Sequence, residues 1–281
     1  MRPHSPTEPS TADDRSQRAV QSVEVGGRLL LALAANRGPM SLKALAEQAG
    51  LSASRAHPYL VSFGKLRLIE QDIVSGHYAL GPAALQIGLA ALNQLDPLKA
   101  AIPVADALAE STGLAVALAV WGNHGPTVVR MTDARQPLHV SMRAGTVMSI
   151  LGTATGRAFA AELPRGRLEL AMAGALGDLP DARPPPLGAS AKQLQQIADE
   201  WRRHGVTRAV GRPIPGVNAF SAAAYNHDGE PAIVITALGH QDHVSPDWDS
   251  PTARAVRAAA REVSSRLGCL TTGPGAPAAT G

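Results

Sequence analysis

The segment from Ser41 to Phe63 (SLKALAEQAGLSASRAHPYLVSF) constrains the fold of this chain more than any other part of its sequence. Apolar residues in its first half recur at i, i+3, i+4 and i+7, which predicts the buried face of a short helix. Ser41 stands before this helix as a candidate N-cap, and Gly50 follows it, where a helix end tolerates a positive φ. Ser52 is placed to cap a second helix. Two short helices joined by a tight turn predict a helix-turn-helix, whose second helix enters the major groove of DNA.

A short hairpin is predicted after the helix pair. Residues 67–71 and 77–80 have the pattern of two strands around a loop that ends at Gly76, and behind a helix-turn-helix such a hairpin is a wing. No aspartate or glutamate occurs between Gln48 and Ile69. The basic residues and the histidine of this stretch are Arg55, His57, Lys65 and Arg67. An acid-free stretch is by itself as typical of a solvated helix face, but together with the helix pair and the wing it favours DNA binding.

Composition limits what else this chain can be. Its 281 residues are 45% hydrophobic, which is enough for one large or two ordinary globular domains. Aromatic residues make up 3%, which argues against a surface that stacks single-stranded bases, and the net charge of +3 permits nucleic-acid binding without requiring it. Cys269 is the only cysteine, which excludes a disulfide within one chain. Since no apolar run approaches the roughly 20 residues that span a bilayer and no signal-peptide core is present, we expect a cytoplasmic protein that contacts no membrane.

Changes in composition and periodicity divide the chain into five segments. Residues 1–19 are rich in Pro, Ser and Thr and predict a disordered leader, and residues 271–281 predict a disordered Gly/Pro/Ala tail. Between these ends we expect a winged helix-turn-helix domain at 20–82, a linker helix at 83–97 and a larger α/β domain at 98–270.

The larger domain alternates strand and helix patterns. Residues 152–156 (GTATG) form a small-residue loop before a helix predicted at 157–163. Ser190 and Gln193 form a capping box that predicts the start of a helix ending at His204. Strands are predicted at 114–121, 126–132, 138–142, 206–210, 220–226 and 231–238.

Three segments resemble the IclR-type bacterial transcriptional regulators. They are the helix pair with LVSF…LIEQD…GHYALG, the segment LGTATGRAFAAELP, and HGV…PGVNAFSAAAYNHDGEPAIVITALGH. The first alone is moderately specific because winged helices are common, but all three in this order make the resemblance strong over residues 20–270. It implies an α+β protein with an N-terminal winged helix-turn-helix, a linker helix and a C-terminal effector-binding α/β domain of GAF/PAS-like architecture.

The resemblance also implies partners. Such a regulator binds a palindromic double-stranded DNA operator as a homodimer or tetramer, and its affinity changes when a small organic effector binds, often a carboxylate or an aromatic catabolite. A candidate dimer seam is the apolar linker stripe Leu85, Leu89 and Leu92 together with the N-terminal helix; the alternative is that this stripe packs on the wing of its own chain. We expect no cofactor, no metal and no catalytic residue, because the chain lacks a nucleophile motif such as G-x-S-x-G and because its closely spaced histidines lie in a polar loop.

One residue of the second helix departs from the family pattern. Pro58 stands where the family usually has a basic residue. A proline removes the N–H that would bond to the carbonyl of Ser54, at a cost of roughly 3 kcal/mol in a helix interior. We therefore expect this helix to be kinked or shortened and to lack a DNA contact at the centre of its outward face. The alternative hypothesis is a small-molecule sensor with weakened or lost DNA binding that acts through protein contacts.

Candidate DNA contacts lie on and beside the second helix. Serine and arginine side chains can hold phosphates or read base edges. A purely structural role as a cap is the alternative for Ser52, and Tyr59 lies near the buried face, where a core position is more typical. The full set is Ser41, Ser52, Ser54, Arg55, His57, Tyr59, Lys65 and Arg67.

Candidate effector contacts surround the loop at 152–156. Backbone N–H groups at the start of the following helix favour an anion such as a carboxylate. Some family members carry an acid and a cysteine where this chain has Ala209 and Ala219, which predicts a larger or less polar ligand. Ordinary strand packing with satisfied hydroxyls is the alternative for each site residue. The resemblance implies a pocket lined by Ala154, Thr155, Ala209, Ala219, Thr236 and Leu238. The polar side chains that we expect to supply orienting hydrogen bonds in this mostly apolar cavity are Asn218, Ser221 and Thr236.

Overall fold

The computed structural model describes residues 20–36, 38–135, 142–177 and 187–269. The chain divides into two compact units, one that ends at Gln94 and one that begins at Leu95. The predicted leader and tail lie outside the described residues. Across the described ranges, no helix combines the length and the apolar character that a membrane crossing requires.

The first unit contains the predicted helix pair and hairpin. Its elements are α1 (Gln21–Ala35), α2 (Leu42–Gln48), α3 (Ala53–Lys65), β1 (Ile69–Gln71), β2 (Tyr78–Leu80) and α4 (Pro82–Gln94). Leu29, Leu45 and Leu60, one from each of the first three helices, share a single apolar core with Ile69 and Tyr78 of the hairpin. Since β1 and β2 pair antiparallel, the predicted helix-turn-helix with a wing is confirmed.

The turn between α2 and α3 is built as the sequence predicts. The Ser41 hydroxyl accepts a hydrogen bond from the Ala44 N–H at 3.3 Å, and the Ser52 hydroxyl accepts one from the Arg55 N–H at 3.4 Å. Gly50 has φ 69°, a left-handed conformation that lets the chain leave α2 without strain. Both predicted caps and the predicted glycine are confirmed.

Pro58 does not shorten the second helix of the pair. α3 continues past Pro58 to its end at Lys65, so the expectation of a shortened helix is wrong. The ring of Pro58 is on the exposed side, whereas Ala56 and Leu60 anchor the opposite side in the core at 0% and 2% exposure. The missing backbone hydrogen bond is a local cost of roughly 3 kcal/mol, and burial of the inner face offsets it.

The approach to the wing differs from the prediction. β1 begins at Ile69 rather than at residue 67, because Arg67 has φ 57° and turns the chain left-handed after α3. Gly81, which follows β2, lies against this turn, and a Cβ added there would stand 2.5 Å from the Arg67 carbonyl oxygen. The N–H of Gly81 also donates to the Leu68 carbonyl at 2.8 Å. The base of the wing is therefore tied closely to the end of α3.

The second unit is built on an antiparallel sheet. Its elements are α5 (Pro97–Thr112), β3 (Ala115–Gly122), β4 (Gly125–Thr132), α6 (Ala154–Glu162), α7 (Arg165–Gly177), α8 (Leu187–His204), β5 (Thr207–Val210), β6 (Val217–Tyr225), β7 (Pro231–His240) and α9 (Pro251–Arg266). The strand order is β4-β3-β7-β6-β5, and every neighbouring pair is antiparallel. Residues of α5, α6 and α9 share the main core with the sheet, including Phe159, Phe220 and Val256. The mixed architecture confirms the predicted α+β class.

The helix after the small-residue loop begins earlier than predicted. α6 starts at Ala154 rather than at residue 157, because the Thr153 hydroxyl caps it by accepting the Gly156 N–H at 3.0 Å. The loop runs very close to this first turn, since a Cβ added at Gly156 would stand 2.1 Å from the Ser149 carbonyl oxygen. Three residues predicted for the loop therefore belong to the helix start itself: Ala154, Thr155 and Gly156.

Two further predictions for this unit differ from the structure. α8 begins at Leu187, so Ser190 lies inside the helix and the predicted capping box is wrong. The pattern Ser-x-x-Gln occurs in helix interiors as well, and sequence alone does not separate the two cases. Of the strand predicted at 138–142, residues 138–141 lie outside the described residues, and Met142 is not in a strand.

Candidate functional site

The outward side of α3 exposes one row of side chains. At 3.6 residues per turn, residues four and three apart stack on one face, and this face is opposite the buried Ala56 and Leu60. Arg55 and His57 are exposed on its two flanks. The row, here called the outward line of α3, consists of the exposed residues Ser54, Pro58, Val61 and Lys65. A surface with positive charge and no carboxylate of its own is suited to a polyanion.

The remaining predicted DNA contacts lie in different places. Ser41 and Ser52 use their hydroxyls as the caps of α2 and α3, and Arg67 is exposed at the turn before the wing. Tyr59 is half-buried against the core of the unit, and its ring lies 3.4 Å from where a Cβ on Gly26 would stand. The structure therefore does not bring Tyr59 to the outward line of α3.

The tip of the wing is apolar. Ile73 and Val74 are 99% and 96% exposed. The carboxylate of Asp72 holds this loop by accepting hydrogen bonds from the Ser75 N–H at 2.6 Å, the Ser75 hydroxyl at 2.8 Å and the Val74 N–H at 3.1 Å. The hydrogen bonds from Ser75 favour the charged form and lower the pKa of Asp72. The wing thus presents a fixed apolar tip that the hairpin pattern alone did not reveal.

A cavity in the second unit gathers most of the predicted effector contacts. Its empty space is about 390 Å³, which includes space open to solvent. The predicted residues that line it are Ala154, Thr155, Ala209, Ala219, Thr236 and Leu238. Thr153, from the small-residue loop predicted to hold an anion, also lines the cavity. The lining residues that sequence reasoning missed are Met142, Met148, Arg212, Pro213, Ile214 and Val217. Most of these lie in connecting segments that carry no sequence motif. They could have been found only by knowing that the turn before β6 lies beside the small-residue loop in the folded unit.

The first two residues of α6, Ala154 and Thr155, both line this cavity. Ala154 and Thr155 are each 2% exposed. Among the described residues, no group accepts a hydrogen bond from either of their N–H groups, whereas the next N–H, that of Gly156, is satisfied by Thr153. Buried N–H groups at the positive end of a helix favour an anionic acceptor.

Three buried hydroxyls continue from this helix start into the sheet. The Thr155 and Thr236 hydroxyl oxygens are 2.8 Å apart, and those of Thr236 and Ser221 are 2.7 Å apart. Ser221 and Thr236 are cross-strand partners of β6 and β7, so they share one face of the sheet. Three hydroxyls carry three protons, but two contacts consume only two of them. One O–H of these three hydroxyls therefore remains available as a donor. Two of the three residues, Thr155 and Thr236, line the cavity.

Two predicted effector contacts are not part of the lining. The Asn218 side-chain amide donates to the Val244 carbonyl at 2.8 Å, and its oxygen accepts the Gly211 N–H at 3.0 Å. Asn218 therefore holds the turn between β5 and β6 to the rest of the unit. Ser221 is 0% exposed and reaches the cavity only through Thr236.

The charge at the cavity is positive. Arg212 is the charged side chain among the described lining residues, and it is exposed at the turn between β5 and β6. A guanidinium beside apolar surface pairs readily with a carboxylate. Within the described ranges, no group of three or more His, Cys, Asp or Glu side chains is arranged to hold a metal ion. The cavity thus combines donors and one cation with an apolar body.

Comparison with known proteins places the two units together in one family. The IclR helix-turn-helix domain model matches residues 22–72, and the bacterial transcriptional regulator IclR C-terminal model matches residues 89–265. The chain is 27% identical over 259 residues to the glycerol operon regulatory protein of Streptomyces coelicolor, covering 89% of this chain and 98% of that protein. It is 24% identical over 263 residues to the transcriptional repressor IclR of Escherichia coli, covering 92% and 94% of the two chains.

A solved structure supports the matches to both family models. The crystal structure of Pseudomonas aeruginosa HmgR matches with a TM-score of 0.80 at 34% sequence identity, covering 90% of this chain and 100% of that one. The agreement spans the helix-turn-helix unit and the cavity-bearing unit alike. The chain therefore belongs to the IclR family of bacterial transcriptional regulators, which join a helix-turn-helix DNA-binding domain to a C-terminal effector domain.

Proposed function

We propose that this regulator binds a palindromic operator as a homodimer, or as a tetramer of two such dimers, and that its effector is a carboxylate with an apolar body. The observation that carries the effector assignment is the pair of buried, unsatisfied N–H groups of Ala154 and Thr155 in the wall of a largely apolar cavity. A neutral hydrocarbon would leave these donors without an acceptor, which is costly.

Operator contacts are assigned to the outward line of α3 and the polar side chains around it. The stretch from Gln48 to Ile69 has no acid to repel phosphates, and its basic side chains are exposed. Tyr59 is left out because it is half-buried in the core. The proposed contacts are Ser41, Ser52, Ser54, Arg55, His57, Lys65 and Arg67.

Dimerisation is assigned to α4. Leu85, Leu89 and Leu92 are 64%, 51% and 38% exposed, and within the described chain no residue of α4 is buried. The wing of the same chain therefore does not cover this stripe. An exposed apolar stripe at helical spacing fits a second copy of itself, and a two-fold dimer matches a palindrome.

The effector assignment follows from what each part of the cavity can accept. The N–H groups of Ala154 and Thr155 and the remaining hydroxyl proton would meet carboxylate oxygens, and Arg212 would balance the charge. The apolar body of the ligand would rest against Met142, Met148 and Leu238. Small side chains at positions 209 and 219 leave room for that body.

The alternative hypothesis, a sensor that has lost DNA binding, rests on Pro58. Because α3 continues through Pro58 and keeps its exposed basic residues, no observation favours this alternative.

Two measurements test the proposed function. Mobility shifts with DNA upstream of the gene for this protein should reveal sequence-specific binding that weakens with salt; the absence of such binding to every fragment contradicts the operator assignment. Thermal-shift assays should compare aromatic and aliphatic carboxylates with their primary amides. The acids should raise the melting temperature in proportion to RT ln(1 + [L]/Kd), and stabilisation by the amides alone contradicts the carboxylate assignment.

A further inference from the structure

The centre of the outward line of α3 is apolar. Pro58 and Val61 stand between Ser54 at one end of the line and Lys65 at the other, and Val61 is 46% exposed. The second helix of a helix-turn-helix lies in the major groove, where side chains of its outward face reach base edges. Neither side chain can hold a phosphate or bond to a polar base edge, since neither carries a donor, an acceptor or a charge.

We propose that Pro58 and Val61 contact the 5-methyl groups of thymines at neighbouring base pairs in each operator half-site. This inference rests on the proposed function, because it requires α3 in the major groove. The thymine methyl is the apolar group that base pairs present in that groove, and apolar side chains recognise it by direct contact. Pro58 and Val61 are separated by about 4.5 Å along the helix axis, close to the step of roughly 3.4 Å between stacked bases.

The surroundings favour DNA over a protein partner for this apolar pair. Arg55 and Lys65 are exposed beside it, and no carboxylate occurs between Gln48 and Ile69. A stable protein interface buries on the order of 800 Å² on each partner, far more than two side chains offer. On DNA, the apolar pair would contact a thymine methyl group while the neighbouring basic side chains contact the backbone phosphates.

The test replaces thymine by deoxyuridine, which keeps base pairing and lacks the methyl group. A duplex that the full-length protein binds specifically is first selected from upstream fragments or from a random pool, and each thymine is then replaced singly. Wild-type protein should bind about four-fold more weakly when either of two neighbouring positions in a half-site is changed. Val61→Ala should lose the sensitivity at one of these positions, and Pro58→Ala at the other.

Val74→Ala is the matched control, since it makes the same substitution at a valine that is 96% exposed outside α3. It should keep the full deoxyuridine sensitivity. Circular dichroism melts check that each variant is folded. The slope of log K against log[salt] should be unchanged in Val61→Ala, because the contact that it removes carries no charge.

Specific binding without any deoxyuridine effect overturns this inference and leaves the proposed function intact. An effect that persists equally in Val61→Ala and Pro58→Ala also overturns it, since another element would then read the methyl groups. If no duplex is bound specifically, the proposed function fails and this inference fails with it.

Discussion

The two binding regions of this chain are built in opposite ways. The outward line of α3 comes from one continuous helix, and its side chains are exposed to solvent. The cavity of the second unit instead buries its polar groups, with Thr155 and Thr236 at 2% and 4% exposure, and these two residues are 81 positions apart in the chain. The first region can change without disturbing the fold, whereas the second is part of what holds its unit together.

This contrast has an energetic consequence. An exposed charge that meets DNA loses little on folding, so its substitution should alter affinity and salt dependence alone. A buried hydroxyl with two partners contributes to both the fold and the ligand site, so its substitution should alter stability as well. The predictions below test this separation.

The largest effect is expected for Gly156→Ala. A Cβ at this position would stand 2.1 Å from the Ser149 carbonyl oxygen and 2.6 Å from the Ile150 Cα, so the backbone of the loop must move. We expect a loss of about 3 kcal/mol or more in the free energy of unfolding of the second unit. Gly166→Ala, in α7, is the control. A Cβ at this position would have no neighbouring atom within 4 Å, and the substitution should stabilise the helix slightly. Chemical denaturation measures both, and equal effects would contradict the close packing at α6.

A smaller effect is expected for Thr236→Val. This change removes the central hydroxyl and leaves Thr155 and Ser221 without their shared partner. We expect a loss of about 1–3 kcal/mol in stability together with weaker binding of carboxylate ligands. Thr127→Val, at a half-buried threonine of β4 outside the cavity lining, should leave ligand affinity unchanged. An unchanged ligand affinity in Thr236→Val would show that the hydroxyl chain does not serve the effector.

Arg55→Ala should leave stability unchanged and weaken DNA binding. Removing one phosphate contact should reduce the slope of log K against log[salt] by about one unit. Fluorescence anisotropy at several salt concentrations measures this slope. Glu24→Gln, at a carboxylate of α1, serves as a control for charge elsewhere in the same unit. A loss of stability in Arg55→Ala without a change in the salt slope would contradict the claim that exposed residues of α3 affect DNA binding alone.

The smallest effect is expected at Glu162, at the end of α6. Burial raises the pKa of this carboxyl above 4.5, and the Trp201 and Tyr225 side chains that face it offset this only in part, since neither makes a hydrogen bond of normal geometry to it. The folded state therefore keeps the proton to a higher pH than the unfolded state does. The contribution of Glu162 to stability should be largest below about pH 4.5 and should be lost as the pH rises through the folded-state pKa.

Glu162→Gln should remove this part of the pH dependence and leave DNA affinity unchanged. Glu169→Gln, at an exposed carboxylate of α7, should keep the wild-type profile. Melting curves from pH 4 to pH 8 provide the comparison. A profile in Glu162→Gln that matches the wild type would assign the dependence to another group.

The outward line of α3 could be predicted from the sequence more fully than the cavity. The first is built from residues close together in the chain, whereas the second is built from residues far apart. The caps of α2 and α3, Gly50 and the outward line of α3 depend on residues a few positions apart, so helical periodicity and capping chemistry indicated them directly. Family resemblance indicated much of the cavity lining, but not Arg212 or the methionines. The polar side chain of Asn218 suggested a ligand contact, whereas its amide group is already hydrogen-bonded to Val244 and Gly211.

By itself, the sequence determined the winged helix-turn-helix, because local periodicity, capping and turn chemistry act over short distances along the chain. Its resemblance to the IclR-type regulators indicated the α+β class and the family. Tertiary structure alone decided that α3 continues through Pro58, since burial of Ala56 and Leu60 outweighs one lost hydrogen bond. It also decided which hydroxyls meet: Thr155, Thr236 and Ser221 come from three separate elements. A contact between such distant residues is set by the packing of whole helices and strands, and no local pattern in the sequence encodes it.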